Sequence, residues 1–271
     1  EPSVRPLGRI AIVAADAGNV RLRLTPLRIA FIRVASSAQE EPIGELVFPS
    51  ELPAGEMVAL LRTELPSLLG PLDDVGLDTD ALLSSADQRR DRLASLRQVL
   101  EWGAVLAAMR DRREHPVLVV RDGLLRSIHF DTASFDRLRG ALISAGRETG
   151  NRLVAVAKQV PGGADLANRL LLGGVLDRRP DMPVAWLRIP TELERELLPG
   201  SFVVGRRMGP LVLVRVRQGG SFVPIEIADE DPVSLSSAVA TLFGPQAEYW
   251  PEPGMPVEVT IAHQRARISA L

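Results

Sequence analysis

The sequence predicts an α/β fold, a mixed β-sheet flanked by helices with additional β-rich structure toward the carboxyl end. Three segments of β-type residues fill the first fifty positions, which is typical of an antiparallel meander. Helical periodicity follows over 85–113, and two apolar strands, 116–121 and 152–157, are then separated by a helix over 133–148. Because alternating strands and helices indicate parallel pairing, the sheet is expected to contain both strand directions.

The first strand is predicted within 8–19, GRIAIVAADAGN. Its apolar run ends at Asp16, and Gly18 with Asn19 then supplies the residue types of a turn. We therefore expect the Asp16 carboxylate at an edge of the sheet, where the strand stops.

The second and third strands of the meander follow directly. Residues 20–37 alternate apolar and basic side chains, as a half-buried strand pair does, and the pattern is broken near Thr25 and Pro26. Residues 41–49 make a plausible third strand.

The helix predicted over 85–113 has one apolar stripe, with arginine and aspartate on its other face. Glu101 lies beside that stripe, so a carboxylate is expected close to the buried side of the helix. The stripe consists of Leu93, Leu96, Leu100, Ala104 and Ala107.

The strand after this helix stops at Asp122 and Gly123. Asp-Gly is a common turn dipeptide, because aspartate can bond its own backbone and glycine accepts positive φ. The same dipeptide places a second carboxylate at a strand end. A turn and a functional site are therefore both open interpretations of Asp122.

The carboxyl-terminal half is less regular. Helices are expected over 163–174 and 233–243, while 255–271 fits helical spacing and strand alternation equally well. The strands expected in this half are 183–188, 201–206, 210–217 and 222–227.

Composition indicates a globular protein. A chain of 271 residues with 46% hydrophobic content can bury a substantial core. It has no cysteine, no apolar run of about eighteen residues and no secretory signal pattern, so we expect a cytoplasmic protein without a membrane segment. The expectation is one domain over 1–271. Since the sequence begins at Glu1 without methionine, an amino-terminal segment can be missing.

Positive charge is carried almost entirely by arginine. The 32 basic residues include a single lysine, Lys158, and the formal net charge of −2 excludes a uniformly basic surface. Arginine suits bidentate phosphate contacts, although arginine pairs on solvated faces are also common. Local basic grooves are therefore permitted by four doublets: Arg89-Arg90, Arg112-Arg113, Arg178-Arg179 and Arg206-Arg207.

Three carboxylates come from separate predicted elements. Asp16 and Asp122 end two strands, and Glu101 lies on the helix between them. Neighbouring strands that end at one edge would bring the two aspartates together, and carboxylate oxygens suit Mg²⁺ or Mn²⁺ better than zinc. Without metal the cluster would be costly, because like charges a few ångströms apart repel one another.

Five motifs, in this order, resemble the NurA nuclease family, which has a ribonuclease H-like fold. They are AADAGN with Asp16, RQVLEWGAVLAAMRD with Glu101, VLVVRDGLL with Asp122, LVAVAKQV with Lys158, and VTIAHQRARISAL with His263. The resemblance covers nearly the whole chain. The sequence departs from the family pattern at Ala17, Leu124 and Ala157, where the family usually has glycine, serine and serine, but no metal-binding carboxylate is lost.

The resemblance implies a metal-dependent DNA nuclease that acts on single-stranded and double-stranded DNA, as exonuclease and endonuclease. It further implies 5′ to 3′ digestion, a role in DNA end resection and recombinational repair, a homodimer, and a partnership with a HerA-type hexameric ATPase. The sequence has no G-x-x-x-x-G-K-[ST] loop, so ATP hydrolysis would come from another chain.

The resemblance also implies site roles. Asp16, Glu101 and Asp122 would hold two Mn²⁺ or Mg²⁺ ions for an in-line displacement at phosphorus. His263 would complete a metal shell or orient the water, although a lone histidine near a chain end is usually a surface residue. Lys158 would contact the scissile phosphate, although a lysine that ends a strand is most often solvated.

Two rival functions stay open. A non-catalytic adaptor of the translocase would guide DNA and carry vestigial carboxylates. A small-molecule phosphotransferase on a related fold is disfavoured, because no glycine-rich phosphate loop is present.

Overall fold

A computed structural model of the chain places part of the sequence in detail. The structure describes residues 11–86, 92–127, 129–157, 185–190, 192–194, 207–215, 222–228, 238–242 and 256–268. The predicted helix over 163–174, the predicted strand over 201–206 and Lys158 lie outside the described residues.

The strands form one eight-stranded mixed sheet, in the order β3-β2-β1-β4-β5-β8-β7-β6. β1 pairs in parallel with β4, and β4 with β5, while the other neighbours are antiparallel. The strands are β1 (Ala11–Leu24), β2 (Leu27–Ser36), β3 (Gly44–Pro49), β4 (Val117–Asp122), β5 (Arg152–Val156), β6 (Ala185–Arg188), β7 (Leu211–Arg215) and β8 (Phe222–Ile227). The predicted fold, a mixed sheet with helices and a β-rich carboxyl-terminal addition, is confirmed.

The helices agree in part with the prediction. The two predicted from clear periodicity, α4 and α5, are present, and the ambiguous segment near the carboxyl end is a helix, α6. In the described part of the chain the helices are α1 (Ala54–Glu64), α2 (Pro66–Asp73), α3 (Thr79–Ala86), α4 (Arg92–Arg110), α5 (Thr132–Thr149) and α6 (Val257–Ala266), and residues 192–194 and 238–242 are also helical. No helix in the described part of the chain is long and apolar enough to span a membrane.

The prediction that the first strand ends at Asp16 was wrong. β1 continues to Leu24, and Gly18 and Asn19 pair with β2 in the antiparallel ladder instead of forming a turn. What ends near Asp16 is the parallel ladder, whose last pair is Ala15 with Arg121 on β4. Beyond Ala15, β1 pairs with β2 alone, so Asp16 is the first residue of β1 that has no partner on β4.

The sheet has a buried core on each face. Alternate residues of a strand point to opposite faces, so Val13 and Ala15 join the core under α1 to α5, whereas Ala14 joins the other core. That second core contains Val259 and Ala262 of α6. α4 and α6 thus cover opposite faces of the same strands, and each can deliver a side chain to the edge where β1 and β4 part.

A buried ion network ties the β-rich part to the segment that follows β4. Arg126 forms ion pairs with Glu226 on β8 and with Glu194, the latter at 3.0 Å, and Arg207 also contacts Glu194 at 3.0 Å. Burial raises the pKa of Glu226 to about 7, and the nearby Arg126 charge opposes this rise. The network fixes the chain just beyond Asp122, since removal of either carboxylate would leave a buried guanidinium short of a partner.

Candidate metal centre

Three potential metal ligands from distant parts of the sequence meet at one edge of the sheet. Asp16, Asp122 and His263 each offer one ligand atom, and these atoms all lie within 4.8 Å of one another. His263 Nδ1 is 2.8 Å from Asp16 Oδ2 and 3.5 Å from Asp122 Oδ2. Two carboxylate oxygens and one imidazole nitrogen form a donor set that fits a divalent metal ion such as Mn²⁺.

The two aspartates are neighbours because of strand register. The last parallel pair is Ala15 with Arg121, so Asp16 and Asp122 are the next residues on adjacent parallel strands. Gly123, with φ +99°, turns the chain away immediately after Asp122, so the turn interpretation of Asp-Gly is correct as well. The turn and the placement of the carboxylate are therefore two consequences of the same dipeptide.

His263 reaches the aspartates because α6 lies directly against β1. A Cβ atom at Gly18 would be only 2.1 Å from the Ala266 carbonyl oxygen, so glycine is required for this close approach. Arg265 anchors the same helix by donating hydrogen bonds to the backbone oxygens of Ser36 at 3.0 Å and Ser37 at 3.2 Å. The side chain of His263 is about half exposed, on the side of the helix next to Asp16.

Glu101 lies on α4, on the opposite face of the sheet, and is only 2% exposed. Its Oε1 atom is 2.8 Å from Nε of Arg121. Burial raises the pKa of Glu101 to about 7, Arg121 opposes that rise, and the negative charge of Asp16 adds to it. Glu101 is not one of the three residues whose ligand atoms already converge, but it borders the same cavity.

A cavity of about 510 Å³ opens over the centre. The predicted site residues Asp16, Glu101, Asp122 and His263 all line it. Four arginines also line it, namely Arg97, Arg121, Arg126 and Arg267. The cavity therefore combines a compact acidic centre with a basic surround, an arrangement suited to a phosphate ester whose reacting atoms lie against a metal ion.

None of these four arginines was predicted as a site residue, although the sequence carries a signal for two of them. Arg97 lies one helical turn before Glu101, so the i, i+4 spacing on α4 could have indicated it. Arg121 interrupts the apolar strand VLVVRD and is only 5% exposed. An arginine in a buried strand needs a partner, and that signal was available.

The fold and site define a class of α/β protein with a candidate metal centre where the parallel pairing of two strands in a mixed sheet ends. Solved structures similar to this chain include the NurA nuclease from Sulfolobus solfataricus, with 15% identity over 96% of this chain and 79% of that chain and a TM-score of 0.40. A NurA with manganese has 12% identity over 99% and 88%, with a TM-score of 0.45. A NurA bound to dAMP and manganese has 11% identity over 99% and 88%, also with a TM-score of 0.45. No family model and no curated protein matches the sequence.

Proposed function

We propose that this chain is a metal-dependent DNA nuclease of the NurA type. The observation that carries the proposal is the convergence of Asp16, Asp122 and His263 in a cavity lined by arginine side chains. The five sequence motifs with the order of the NurA family support it independently, because they name the same three residues.

Each residue has a role that its position supports. Asp16 and Asp122 would hold a divalent ion. His263 would be a further ligand, or would accept a proton from the attacking water through a ring nitrogen. When bound, the ion makes water a stronger nucleophile at neutral pH and offsets negative charge on the phosphodiester. Arg97 and Arg267 attract and orient the phosphate backbone.

The finer parts of the proposal rest on the sequence resemblance. We propose a two-ion centre in which Glu101 serves the second Mn²⁺ or Mg²⁺ ion, and a phosphate contact by Lys158. We further propose single-stranded and double-stranded DNA as substrates, 5′ to 3′ digestion, end resection and recombinational repair with a HerA-type hexameric ATPase, and a homodimer. The single-domain organisation and the cytoplasmic location stay predictions.

The first test is cleavage of end-labelled single-stranded and duplex DNA in Mn²⁺ and in chelator. Asp16→Asn and Asp122→Asn should each lower the cleavage rate by at least about a thousandfold, because each removes a charged ligand of the catalytic ion. Asp136→Asn, at an exposed position on α5, is the matched control and should retain full activity. Mn²⁺-dependent binding without cleavage by the unaltered chain would instead favour the non-catalytic adaptor.

The second test concerns the motor. Since the sequence has no ATP-binding loop of the P-loop type, we expect weak or distributive digestion of long linear duplexes by the chain alone. Addition of a HerA-type ATPase with ATP should convert this to extensive digestion in a time course. Equal extents of digestion with and without motor and ATP would contradict the coupled machine, and omission of ATP is the control.

A further inference from the structure

Arg121 and Glu101 form an ion pair whose atoms do not have the geometry of a hydrogen bond. Arg121 Nε and Glu101 Oε1 are 2.8 Å apart, and both side chains are almost fully buried. Neither atom makes a hydrogen bond within the described part of the chain. A buried carboxylate oxygen beside the cavity is therefore held by charge alone, which leaves it free to exchange one cation for another.

Arg121 is fixed by contacts that do not involve Glu101. Its NH1 group donates a hydrogen bond to the Leu124 carbonyl oxygen, and its guanidinium lies 4.6 Å from the centre of the Trp102 ring. Because these contacts persist if the Glu101 carboxylate turns away, Arg121 behaves as a stationary positive charge next to the acidic centre.

The charges of the centre favour one divalent ion over two. Asp16, Asp122 and Glu101 oppose one buried guanidinium, Arg121, which leaves an excess of two negative charges when all three acids are ionised. One divalent ion cancels this excess. A second ion would leave the centre with two excess positive charges, which is unfavourable next to the buried Arg121 guanidinium. Counting the half-buried Arg97 as well makes the second ion less favourable still.

A bound phosphodiester adds one negative charge, so it halves the excess of two positive charges that a second ion would leave and makes that ion less unfavourable. We propose that Arg121 acts as a resident counter-cation that limits the centre to one divalent ion until a phosphodiester enters the cavity. This inference rests on the proposed nuclease function. Arg121 is thus a positioning residue, because it acts by controlling when Glu101 becomes available as a ligand.

The decisive measurement uses the unaltered chain. Mn²⁺ is titrated by calorimetry and by electron paramagnetic resonance, with and without a short phosphorothioate oligonucleotide held at low temperature to prevent cleavage. We expect one bound ion per chain without DNA and two with DNA, the second shown by magnetic coupling between neighbouring ions. Two tightly bound ions without DNA, one ion under both conditions, or no bound ion would each overturn the proposal.

Variants separate the role of Arg121 from a general effect on folding. Arg121→Met removes the charge but keeps a long side chain over Trp102, and it should allow a second ion to bind without DNA at least about tenfold more tightly. Arg121→Lys keeps the charge and should restore the one-ion state. An unchanged second ion in Arg121→Met would overturn the proposal, and if that variant does not fold, the titration of the unaltered chain still decides it.

The outcomes also separate this inference from the proposed function. DNA cleavage is measured in a different assay, so a chain that cleaves DNA but binds two ions without it keeps the proposed function and loses the inference. A chain that binds one ion, gains a second with DNA and does not cleave keeps the inference about Arg121 and loses the nuclease.

Discussion

Substitution of Gly18 by alanine should displace the carboxyl-terminal helix and open the metal centre. The added Cβ would lie 2.1 Å from the Ala266 carbonyl oxygen and 2.9 Å from its carbon. Both are backbone atoms, so no side-chain rotation can relieve the clash. α6 must therefore move away from β1, and His263 moves with it.

The size of the effect follows from the geometry. To reach the 3.4 Å at which ordinary contact begins, the carbonyl must retreat by roughly 1.3 Å. If α6 moves as a rigid body, the distance from His263 Nδ1 to Asp16 Oδ2 would grow from 2.8 Å to about 4 Å. Overpacking of this kind costs about 2 kcal/mol of folding free energy. Displacement of one ligand should also weaken Mn²⁺ binding by at least about tenfold.

Thermal unfolding and Mn²⁺ calorimetry on the same samples would measure both effects. Gly209→Ala is a matched control for the clash, because its Cβ would lie 1.7 Å from the Ile227 carbonyl oxygen on β8. It should lower stability but weaken Mn²⁺ binding to the folded chain less than Gly18→Ala does, because none of the three candidate ligands lies on β7 or β8. Gly140→Ala is the benign control, since nothing lies within 4 Å of its Cβ on α5, and it should stabilise the helix by roughly 0.5 kcal/mol.

Two results would refute this reasoning. Unchanged stability in Gly18→Ala would mean that α6 does not approach β1 as closely as the structure shows. Loss of stability equal to that of Gly209→Ala, with unchanged Mn²⁺ affinity, would mean that His263 does not depend on this approach to reach the metal.

Two further predictions concern pH and salt. Because the pKa of Glu226 is raised from 4.5 to about 7, the folded chain holds this proton more tightly than the unfolded chain does. The free energy of unfolding should therefore fall as the pH rises from about 4.5 to about 7. Urea titrations of Glu226→Gln over this pH range should show a shallower fall. An unchanged slope would contradict it. DNA affinity should fall steeply with rising salt concentration despite the net charge of −2. Arg267→Ala should reduce the slope of log affinity against log salt concentration by about one. Arg147→Ala, in the last turn of α5, is the control and should leave this slope unchanged.

Elements with one dominant local pattern were predictable from the sequence. The apolar stripe of α4 and the alternation of strands and helices around β4 and β5 gave the correct elements and the parallel pairing. At the start of α5, Asp131 accepts a hydrogen bond from the Ser134 backbone nitrogen at 2.9 Å, which is the local cap that aspartate favours at a helix start. These signals are local, because they depend on residues within one or two helical turns.

Features that depend on tertiary contacts were not predictable. Asp16, Gly18 and Asn19 have the composition of a turn. The sequence does not show that only the pairing of β1 with β4 ends there, while the pairing of β1 with β2 continues. α1 to α3 were not anticipated. In α2, proline at both Pro66 and Pro71 weakens the helical pattern, although the first of them occupies the start of the helix, where proline is tolerated.

The carboxyl-terminal helix shows why the candidate site was only partly visible. Its apolar residues fit both the spacing of a helix and the alternation of a strand. Which structure forms is therefore decided by the surface against which the segment packs. That surface is β1 at Gly18, more than two hundred residues earlier in the chain. The family resemblance named His263, but the contact that positions it could be found only in three dimensions.

The balance of charge in the centre bears on whether it is active or vestigial. Glu101 is buried beside Asp16 and Asp122, and its raised pKa shows that this placement opposes ionisation of the carboxyl group. Arg121 offsets part of that penalty without forming a directed hydrogen bond. A scaffold that only guided DNA would be more stable with a neutral residue at Asp16 or Asp122, because the repulsion among the acids serves no purpose in an adaptor. A divalent ion bound among the acids would be attracted by all of them and would remove their mutual repulsion. The arginines around the cavity would attract a phosphate, which an acidic cleft without cations would repel. The repulsion among these acids therefore supports the proposed metal-dependent phosphodiesterase over the non-catalytic adaptor.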